Sequence, residues 1–170
     1  IDFLTCTAHK IHGPQGVGAV LIKDGVKLKP LLAGGSQEHR IRPGTENIPG
    51  ICGLGVAARS RFVAMDQFLQ HARSLRDYLE KELIGRFDCI SIVGMNSPRI
   101  GAMTNIRFKG IDGQSLVAML DARGVLVSQS SACTNMSPES SYVLQAMGFC
   151  EESAYECVRF CIASDTELKE

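Results

Sequence analysis

The chain has 170 residues, which is enough for one average domain or two small ones with a buried core. Its 18 basic and 18 acidic residues cancel, so the overall charge predicts neither direct nucleic-acid binding nor attraction to an anionic membrane surface. The apolar runs are short and interrupted, so no membrane-spanning helix is predicted. We therefore expect a soluble protein that acts on a small molecule.

The seven cysteines show no C-x-x-C pair of the kind found in zinc sites and redox dithiols. Cys157 and Cys161 lie four residues apart, but no further ligand at suitable spacing completes a site, so we predict core packing for both and no bound metal. Free thiols in a reducing cytoplasm are the simplest interpretation. The chain begins at Ile1, without a signal-peptide pattern, and we expect that the native N-terminus is missing.

The first half of the chain predicts two strands, a long loop and a helical segment. Residues 1–6 are apolar and β-prone, and the nearly continuous apolar run 16–23 predicts a strand buried on both faces of an α/β sheet. The polar, glycine-rich residues 34–49 form a long loop, and long ordered loops are usually functional. Apolar residues then recur every three or four positions from Ile51 to Leu83, which predicts one long amphipathic helix or two successive helices.

The second half of the chain begins after Gly85, where the helical pattern stops. Its patterns predict strands at 90–93, 103–108, 125–128 and 157–162, and helices at 113–123 and from Ser137 to Gly148. Asp112 is the expected N-cap of the first helix, which Gly124 ends. We accordingly predict one domain over residues 1–85 and a second over residues 86–170.

Lys10 is the first candidate for chemistry, because a lysine that forms a Schiff base needs a neutral amine, which burial or neighbouring cations favour. By itself an isolated lysine is usually just solvated. The surrounding string is more specific: Thr7-Ala8-His9-Lys10-Ile11-His12-Gly13-Pro14-Gln15-Gly16-Val17-Gly18-Ala19, then Gly34-Gly35-Ser36-Gln37-Glu38 and Arg42-Pro43-Gly44-Thr45-Glu46-Asn47. This string closely resembles the class V aminotransferases that use pyridoxal 5'-phosphate (PLP), and in particular the cysteine desulfurase branch of NifS and IscS.

The resemblance implies a role for each matching residue. Lys10 matches the lysine that binds PLP, and Thr7 and His9 match positions that contact the cofactor phosphate. Thr45 matches a residue that reaches the phosphate of the neighbouring subunit, which implies a homodimer. Taken without the resemblance, Arg42 to Asn47 is a turn built by Pro43 and Gly44.

Cys133 lies in Ser128-Gln129-Ser130-Ser131-Ala132-Cys133-Thr134-Asn135, a polar segment of small residues between a predicted strand and a predicted helix. A cysteine is more often a small buried apolar residue, whereas a nucleophilic thiolate must be accessible. The segment and the following Ser-Pro-Glu-Ser-Ser-Tyr resemble the catalytic loop of the desulfurases. By this resemblance Cys133 is the nucleophile that accepts sulfur.

Arg159 is predicted to lie on the last strand. An arginine there is most often part of a surface ion pair. In the resembling family an arginine at this point binds the substrate carboxylate, which suits the two-pronged guanidinium group. The residues from Cys161 to Ser164 depart from the family pattern, which usually continues with serine or glycine.

The resemblance implies an α/β fold: the C-terminal part of a PLP fold-type I large domain, followed by a small α+β domain. The implied activity is removal of sulfur from L-cysteine, giving L-alanine and an enzyme persulfide for a sulfur-acceptor protein in iron–sulfur cluster or thio-cofactor synthesis. Two alternatives stay open. One is another class V enzyme, a selenocysteine lyase or an aminotransferase. The other is a non-catalytic subunit, since the family's N-terminal half has no counterpart here.

Overall fold

We analysed a computed structural model, which describes residues 1–129 and 140–169. The chain forms two compact units, Ile1–Met65 (unit 1) and Asp66–Glu170 (unit 2). The predicted division into residues 1–85 and 86–170 stays a prediction. Within the described residues, no helix is both long and apolar enough to span a membrane.

Unit 1 begins with an antiparallel pair of strands, β1 (Phe3–Thr7) and β2 (Gly18–Ile22). The two strands were predicted, but the burial of β2 on both faces is wrong for the described residues. Four of its five residues are exposed, and the sheet to which it belongs has only two strands among the described residues. A 3-10 helix at Ala8–Ile11 follows β1 directly, and a second one spans Glu38–Arg40.

Helix α1 (Ile48–Arg86) is one continuous helix of 39 residues. Of the two arrangements that the apolar periodicity allowed, the single long helix is therefore the observed one. Its start is fixed by Asn47, whose side-chain oxygen accepts a hydrogen bond from the Gly50 backbone N–H at 3.2 Å. This is the N-cap interaction that asparagine favours.

Unit 2 contains a three-stranded antiparallel sheet in the order β3 (Ile90–Ile92), β4 (Met103–Phe108) and β5 (Cys157–Cys161). Ile106 on β4 faces Val158 on β5, and neither residue is exposed to solvent. Side chains alternate between the two faces of a strand. The opposed pair Asn105 and Arg159 therefore lies on the other face of this sheet.

Three short helices complete unit 2: α2 (Gly113–Asp121), α3 (Tyr142–Ala146) and α4 (Glu151–Tyr155). The predicted cap of α2 is confirmed, since the Asp112 carboxylate accepts a hydrogen bond from the Ser115 backbone N–H at 2.7 Å. A compact apolar cluster forms where α3 and α4 meet the sheet; it consists of Val93, Leu144, Ala154 and Cys157, with Phe149 packed against it.

Some predictions for unit 2 are corrected. Residues 125–128 do not form a strand, because only Ser128 pairs, through an isolated bridge to Arg159. Helix α4 was not predicted, and the predicted helix start at Ser137 lies outside the described residues. Core packing is confirmed for Cys157 but wrong for Cys161, which is exposed at the end of β5.

Candidate functional site

Three of the four candidate site residues of unit 1, Thr7, His9 and Lys10, lie at the end of β1 and on the tight turn that follows it. The Ala8 backbone N–H donates to Val17 at 3.0 Å, and the Ala8 carbonyl accepts from the Gly13 N–H at 2.8 Å. Ala8 is fully buried, so it anchors the turn while its neighbours point outward. A side chain at Gly13 would approach Ala8 within 2.9 Å and Ala57 within 3.1 Å, which explains the glycine at this position.

The turn brings together the three predicted residues Thr7, His9 and Lys10. The Thr7 hydroxyl lies 2.9 Å from Nδ1 of His9, and His9 and Lys10 are exposed. When the hydroxyl donates to Nδ1, the imidazole carries its hydrogen on Nε2, which is then free to donate outward. A hydroxyl, an imidazole and a primary amine are therefore accessible within four consecutive residues of this turn.

This donor set fits the cofactor that the family uses. A phosphate group needs several hydrogen-bond donors, and an aldehyde needs an accessible amine. The imidazole of His9 and the hydroxyl of Thr7 could hold the phosphate, and the amine of Lys10 could bond to the aldehyde carbon. All three groups are within reach of a ligand that arrives from solvent, since only Ala8 of this turn is buried.

Thr45 lies on the loop that leads into α1, and its side chain is exposed. The loop has an unusual backbone, because Glu38, His39 and Arg40 all have positive φ angles of 44°, 55° and 65°. Residues other than glycine rarely adopt such angles, and strained backbone of this kind is concentrated at functional sites. The Gln37 side chain braces the loop by accepting a hydrogen bond from the Gly44 N–H at 3.2 Å.

Arg159 lies in unit 2, on the wall of a cavity of about 530 Å³. The size falls within the range of ~300–1,000 Å³ that is usual for small-molecule sites. Polar residues on its wall include Arg99, Asn105, Gln129, Ser140 and Arg159. The remaining wall is mainly apolar, with Ile100, Met103, Val143 and Leu144 among the contributing residues.

Backbone pairing fixes Arg159 on the cavity wall. Its N–H donates to the Ser128 carbonyl at 2.6 Å, and its carbonyl accepts from the Ser128 N–H at 3.1 Å. Gln129, the next residue, donates from its side chain to the Tyr155 carbonyl at 2.6 Å. The segment that carries Arg159 and the segment that leads towards Cys133 are therefore joined at the cavity.

Cys133 itself lies outside the described residues, which resume at Ser140. The residues on both sides of this interval line the cavity: Gln129 before it and Ser140 after it. Ser140 is also held in place, because its hydroxyl accepts a hydrogen bond from the Gln145 side chain at 2.6 Å.

Two other cysteines of unit 2 differ in their fitness as nucleophiles. Burial raises the pKa of the Cys157 thiol to about 11, so this thiol stays protonated and inert near neutral pH. Cys150 is exposed, and hydrogen bonding with Ser153, at 3.1 Å from its sulfur, lowers the pKa of the Cys150 thiol. Cys150 is thus the useful comparison for any role assigned to Cys133.

Sequence reasoning missed the polar contacts that shape the cavity. Glu80 on α1 accepts two hydrogen bonds from Arg99, at 2.7 and 2.9 Å, and Arg76 donates to the Ile100 carbonyl at 2.9 Å. Burial disfavours the charged form of Glu80, but hydrogen bonding and the positive charges of Arg99 and Arg76 outweigh it, so the pKa of Glu80 is lowered. These contacts hold the Arg99-Ile100 part of the cavity wall against α1.

Asn105 was missed as well. The alternation of side chains on the predicted strand 103–108 places Asn105 on the face opposite Ile106. That alternation was the available signal, but it could not show which residue faces Asn105. The structure places it beside Arg159.

The aminotransferase class-V family model matches residues 1–170, which is the whole chain. The chain belongs to the class V aminotransferase family, and this confirms the resemblance found in the motifs around Lys10. The α/β content that this resemblance implies is confirmed too.

Relatives within the family are more specific. The chain is 40% identical over 166 residues to a cysteine desulfurase of Nostoc sp. and 44% identical over 163 residues to one of Sinorhizobium fredii. These matches cover 98% and 96% of this chain but 42% of each relative. The chain therefore spans less than half the length of the relatives it matches.

Solved structures also match nearly the whole of this chain and less than half of their own length. A NifS-like protein from Rickettsia africae is similar over 99% of this chain and 44% of its own, with a TM-score of 0.86 and 29% identity. A structure described as SspA in complex with cysteine is similar over 95% of this chain and 44% of its own, with a TM-score of 0.66 and 32% identity. The resemblance to the NifS and IscS branch is thereby confirmed.

Proposed function

We propose that this chain is part of a PLP-dependent cysteine desulfurase, which removes sulfur from L-cysteine and gives L-alanine and an enzyme persulfide. The observation that carries the proposal is the turn after β1, where Thr7 and His9 are hydrogen-bonded immediately before the exposed Lys10. The names of the relatives support the same activity. The chain would supply the cofactor lysine, the sulfur acceptor and the carboxylate-binding arginine.

In this proposal Lys10 has two tasks. Its amine would hold the cofactor through the aldehyde group, and the same amine would later take the α-proton from the substrate. When bound, PLP withdraws the electron pair that the α-carbon releases. The exposed position of Lys10 suits both tasks, because the amine must meet first the cofactor and then the incoming substrate.

Thr7 and His9 would hold the cofactor phosphate with their hydroxyl and imidazole groups. Thr45 would contact the cofactor phosphate that is bound to a partner subunit in a homodimer. Its exposure on the strained loop supports this role. The finer fold assignment belongs to the same proposal: residues 1–85 as the end of a fold-type I large domain, and residues 86–170 as a small α+β domain.

Cys133 would carry the sulfur. Its thiolate attacks the substrate sulfur, a sulfur–sulfur bond forms, and the substrate carbon–sulfur bond breaks. The electron pair of the broken bond stays with the β-carbon, which takes up a proton, and return of a proton to the α-carbon completes L-alanine. The position of Gln129 and Ser140 on the cavity wall supports this role, because these residues bracket the segment that contains Cys133. A sulfur-acceptor protein would then receive the persulfide sulfur.

Arg159 would bind the carboxylate of L-cysteine. Its place on the wall of a cavity of small-molecule size supports this, as does its firm backbone pairing with Ser128. A guanidinium fork binds a carboxylate through two hydrogen bonds, which fixes the orientation of the substrate.

The test uses the full-length protein, isolated with PLP, and measures sulfide and L-alanine released from L-cysteine. Cys133→Ala is expected to lower sulfide release at least 100-fold, on the order of the loss of a covalent catalyst. Cys150→Ala is the matched control, since Cys150 is exposed and has the lowered pKa, and its activity should stay within about twofold. Undiminished sulfide release by Cys133→Ala would overturn the proposal and favour another class V enzyme.

A further inference from the structure

Three polar side-chain atoms of residues on the cavity wall of unit 2 are buried without a hydrogen-bond partner among the described residues. One is Oγ1 of Thr104, which lies on the opposite face of β4 from Asn105, and the other two are Oδ1 of Asn105 and Nε of Arg159. Both residues line the cavity, and they are directly opposed on the antiparallel strands β4 and β5. Side chains of directly opposed residues start about 5 Å apart at their Cβ atoms and share one face of the sheet.

The two atoms need opposite partners. The arginine nitrogen can only donate a hydrogen bond, and the amide oxygen can only accept one. Leaving either group buried and unpaired is unfavourable, so a ligand that serves both is favoured in this cavity. A carboxylate alone serves Arg159 but gives nothing to Asn105.

An α-amino acid carries both required groups on one carbon atom. Its carboxylate can accept a hydrogen bond from Arg159, and its ammonium group can donate one to Asn105. The separation of these two opposed side chains suits two groups that are attached to the same carbon atom. The apolar part of the wall, which includes Ile100, Met103 and Val143, suits an uncharged side chain such as that of cysteine.

We propose that Oδ1 of Asn105 binds the amino group of L-cysteine in the non-covalent complex that precedes attachment to the cofactor. This inference rests on the proposed function and adds a residue to it. Asn105 and Arg159 then form a pair of contacts that distinguishes an amino acid from a simple thiol carboxylate. Asn105 acts in the capture of substrate, not in sulfur transfer.

The experiment compares two small molecules in the full-length holoenzyme. L-cysteine is the substrate, and 3-mercaptopropionate is a competitive probe with the same thiol and carboxylate but no amino group. Asn105→Leu removes the acceptor with little change in shape. We expect it to raise the KM for L-cysteine about tenfold, with kcat and the inhibition constant of 3-mercaptopropionate each within twofold.

Arg159→Leu is the contrasting variant, because it removes the contact that both molecules share. It should weaken both L-cysteine and 3-mercaptopropionate. A second pair, Asn105→Thr and Asn105→Val, differs only in a hydroxyl and a methyl group. The valine variant should show the higher KM for L-cysteine, and this pair also serves if Asn105→Leu does not fold.

The outcomes distinguish a failure of the proposed desulfurase function from a failure of the role of Asn105. If the unmodified holoenzyme forms no L-alanine from L-cysteine, the proposed function fails. If it does form L-alanine, but Asn105→Leu weakens L-cysteine and 3-mercaptopropionate equally, only the role of Asn105 fails. Equal KM values for Asn105→Thr and Asn105→Val would contradict that role as well.

Discussion

The two units of the chain differ in what they bury. Among the described residues of unit 1, the buried hydrophobic residues are Ala8 and Ala57, and most of β1 and β2 is exposed. Unit 2 buries larger side chains, including Ile106, Val158 and Leu144. Unit 1 carries the residues proposed to hold the cofactor, whereas unit 2 carries the larger core and the residues proposed to bind L-cysteine and accept its sulfur.

The comparison indicates that the two units differ in how much hydrophobic stabilisation they contribute. A unit with a small core gains little hydrophobic stabilisation from its own residues. In unit 1, backbone hydrogen bonds and the buried Ala8 help to hold the turn that carries the candidate residues Thr7, His9 and Lys10. We expect substitutions of apolar residues in unit 1 to cost little stability, and substitutions in the core of unit 2 to cost more.

The largest effect is expected from Lys10→Ala in the full-length holoenzyme. Loss of the amine that is proposed to hold the cofactor and to take the α-proton should lower kcat at least about 1,000-fold. The free energy of unfolding of the 170-residue chain without cofactor should change little, because Lys10 is exposed there. Lys29→Ala, at another exposed lysine of unit 1, is the control and should keep its activity. A Lys10→Ala protein that retains a tenth of the activity would contradict the assignment.

The next effect concerns the core of unit 2. Ile106 is fully buried in the central strand β4, so Ile106→Ala should lower the free energy of unfolding by about 3–4 kcal/mol. Leu21 in β2 is 57% exposed, and Leu21→Ala should cost less than about 1 kcal/mol in the 170-residue chain. Urea denaturation measures both values. Equal losses would contradict the difference between the units.

A smaller effect is expected at Glu80. Its side chain is 9% exposed, and Glu80→Gln breaks its ion pair with Arg99, which should cost about 2 kcal/mol at neutral pH. Glu82 pairs with Arg86 at the surface, so Glu82→Gln is the control and should cost less than about 0.5 kcal/mol.

Acid should remove the Glu80 effect. Because the pKa of Glu80 is lowered in the folded state, its contribution is complete above the ordinary carboxyl pKa and is lost as the pH falls through the folded-state value. The difference in unfolding free energy between the unmodified chain and Glu80→Gln should therefore shrink on acidification. A difference that stays constant down to the acid transition would show that the charge of Glu80 is not responsible.

The smallest effect is expected at the N-cap of α2. Asp112→Ala removes the hydrogen bond to the Ser115 N–H and should cost about 1 kcal/mol. Asp121 is exposed at the other end of the same helix, where a negative charge gains nothing from the helix dipole. Asp121→Ala should thus be neutral or slightly stabilising. Thermal unfolding of the two variants measures the difference, and equal losses would contradict the cap.

Much of the fold follows from sequence patterns because those patterns are local. The period of α1, the alternation in β4 and the Asp112 cap each depend on residues close in sequence. The prediction of a strand at 125–128 was wrong because a strand needs a partner along its length, and within this segment only Ser128 pairs. The five-residue helix α4 is too short to show a period.

The candidate site divides in the same way. Lys10 and its neighbours were identified because they occur in one continuous motif. Asn105 could not be assigned, because its position beside Arg159 depends on the register between β4 and β5. The ion pair between Glu80 and Arg99 was missed because it joins residues that are distant in sequence. Glu80 lies on α1, and Arg99 lies on the loop between β3 and β4.

The central claim is that sulfur from L-cysteine is transferred to Cys133. The most direct measurement is peptide mass spectrometry of the full-length holoenzyme after reaction with limiting L-cysteine, without reductant. The account predicts the added mass of one sulfur atom on the peptide that contains Cys133, and no such addition in the Lys10→Ala variant. Sulfur found on the Cys150 peptide, with Cys133 unmodified, would contradict it.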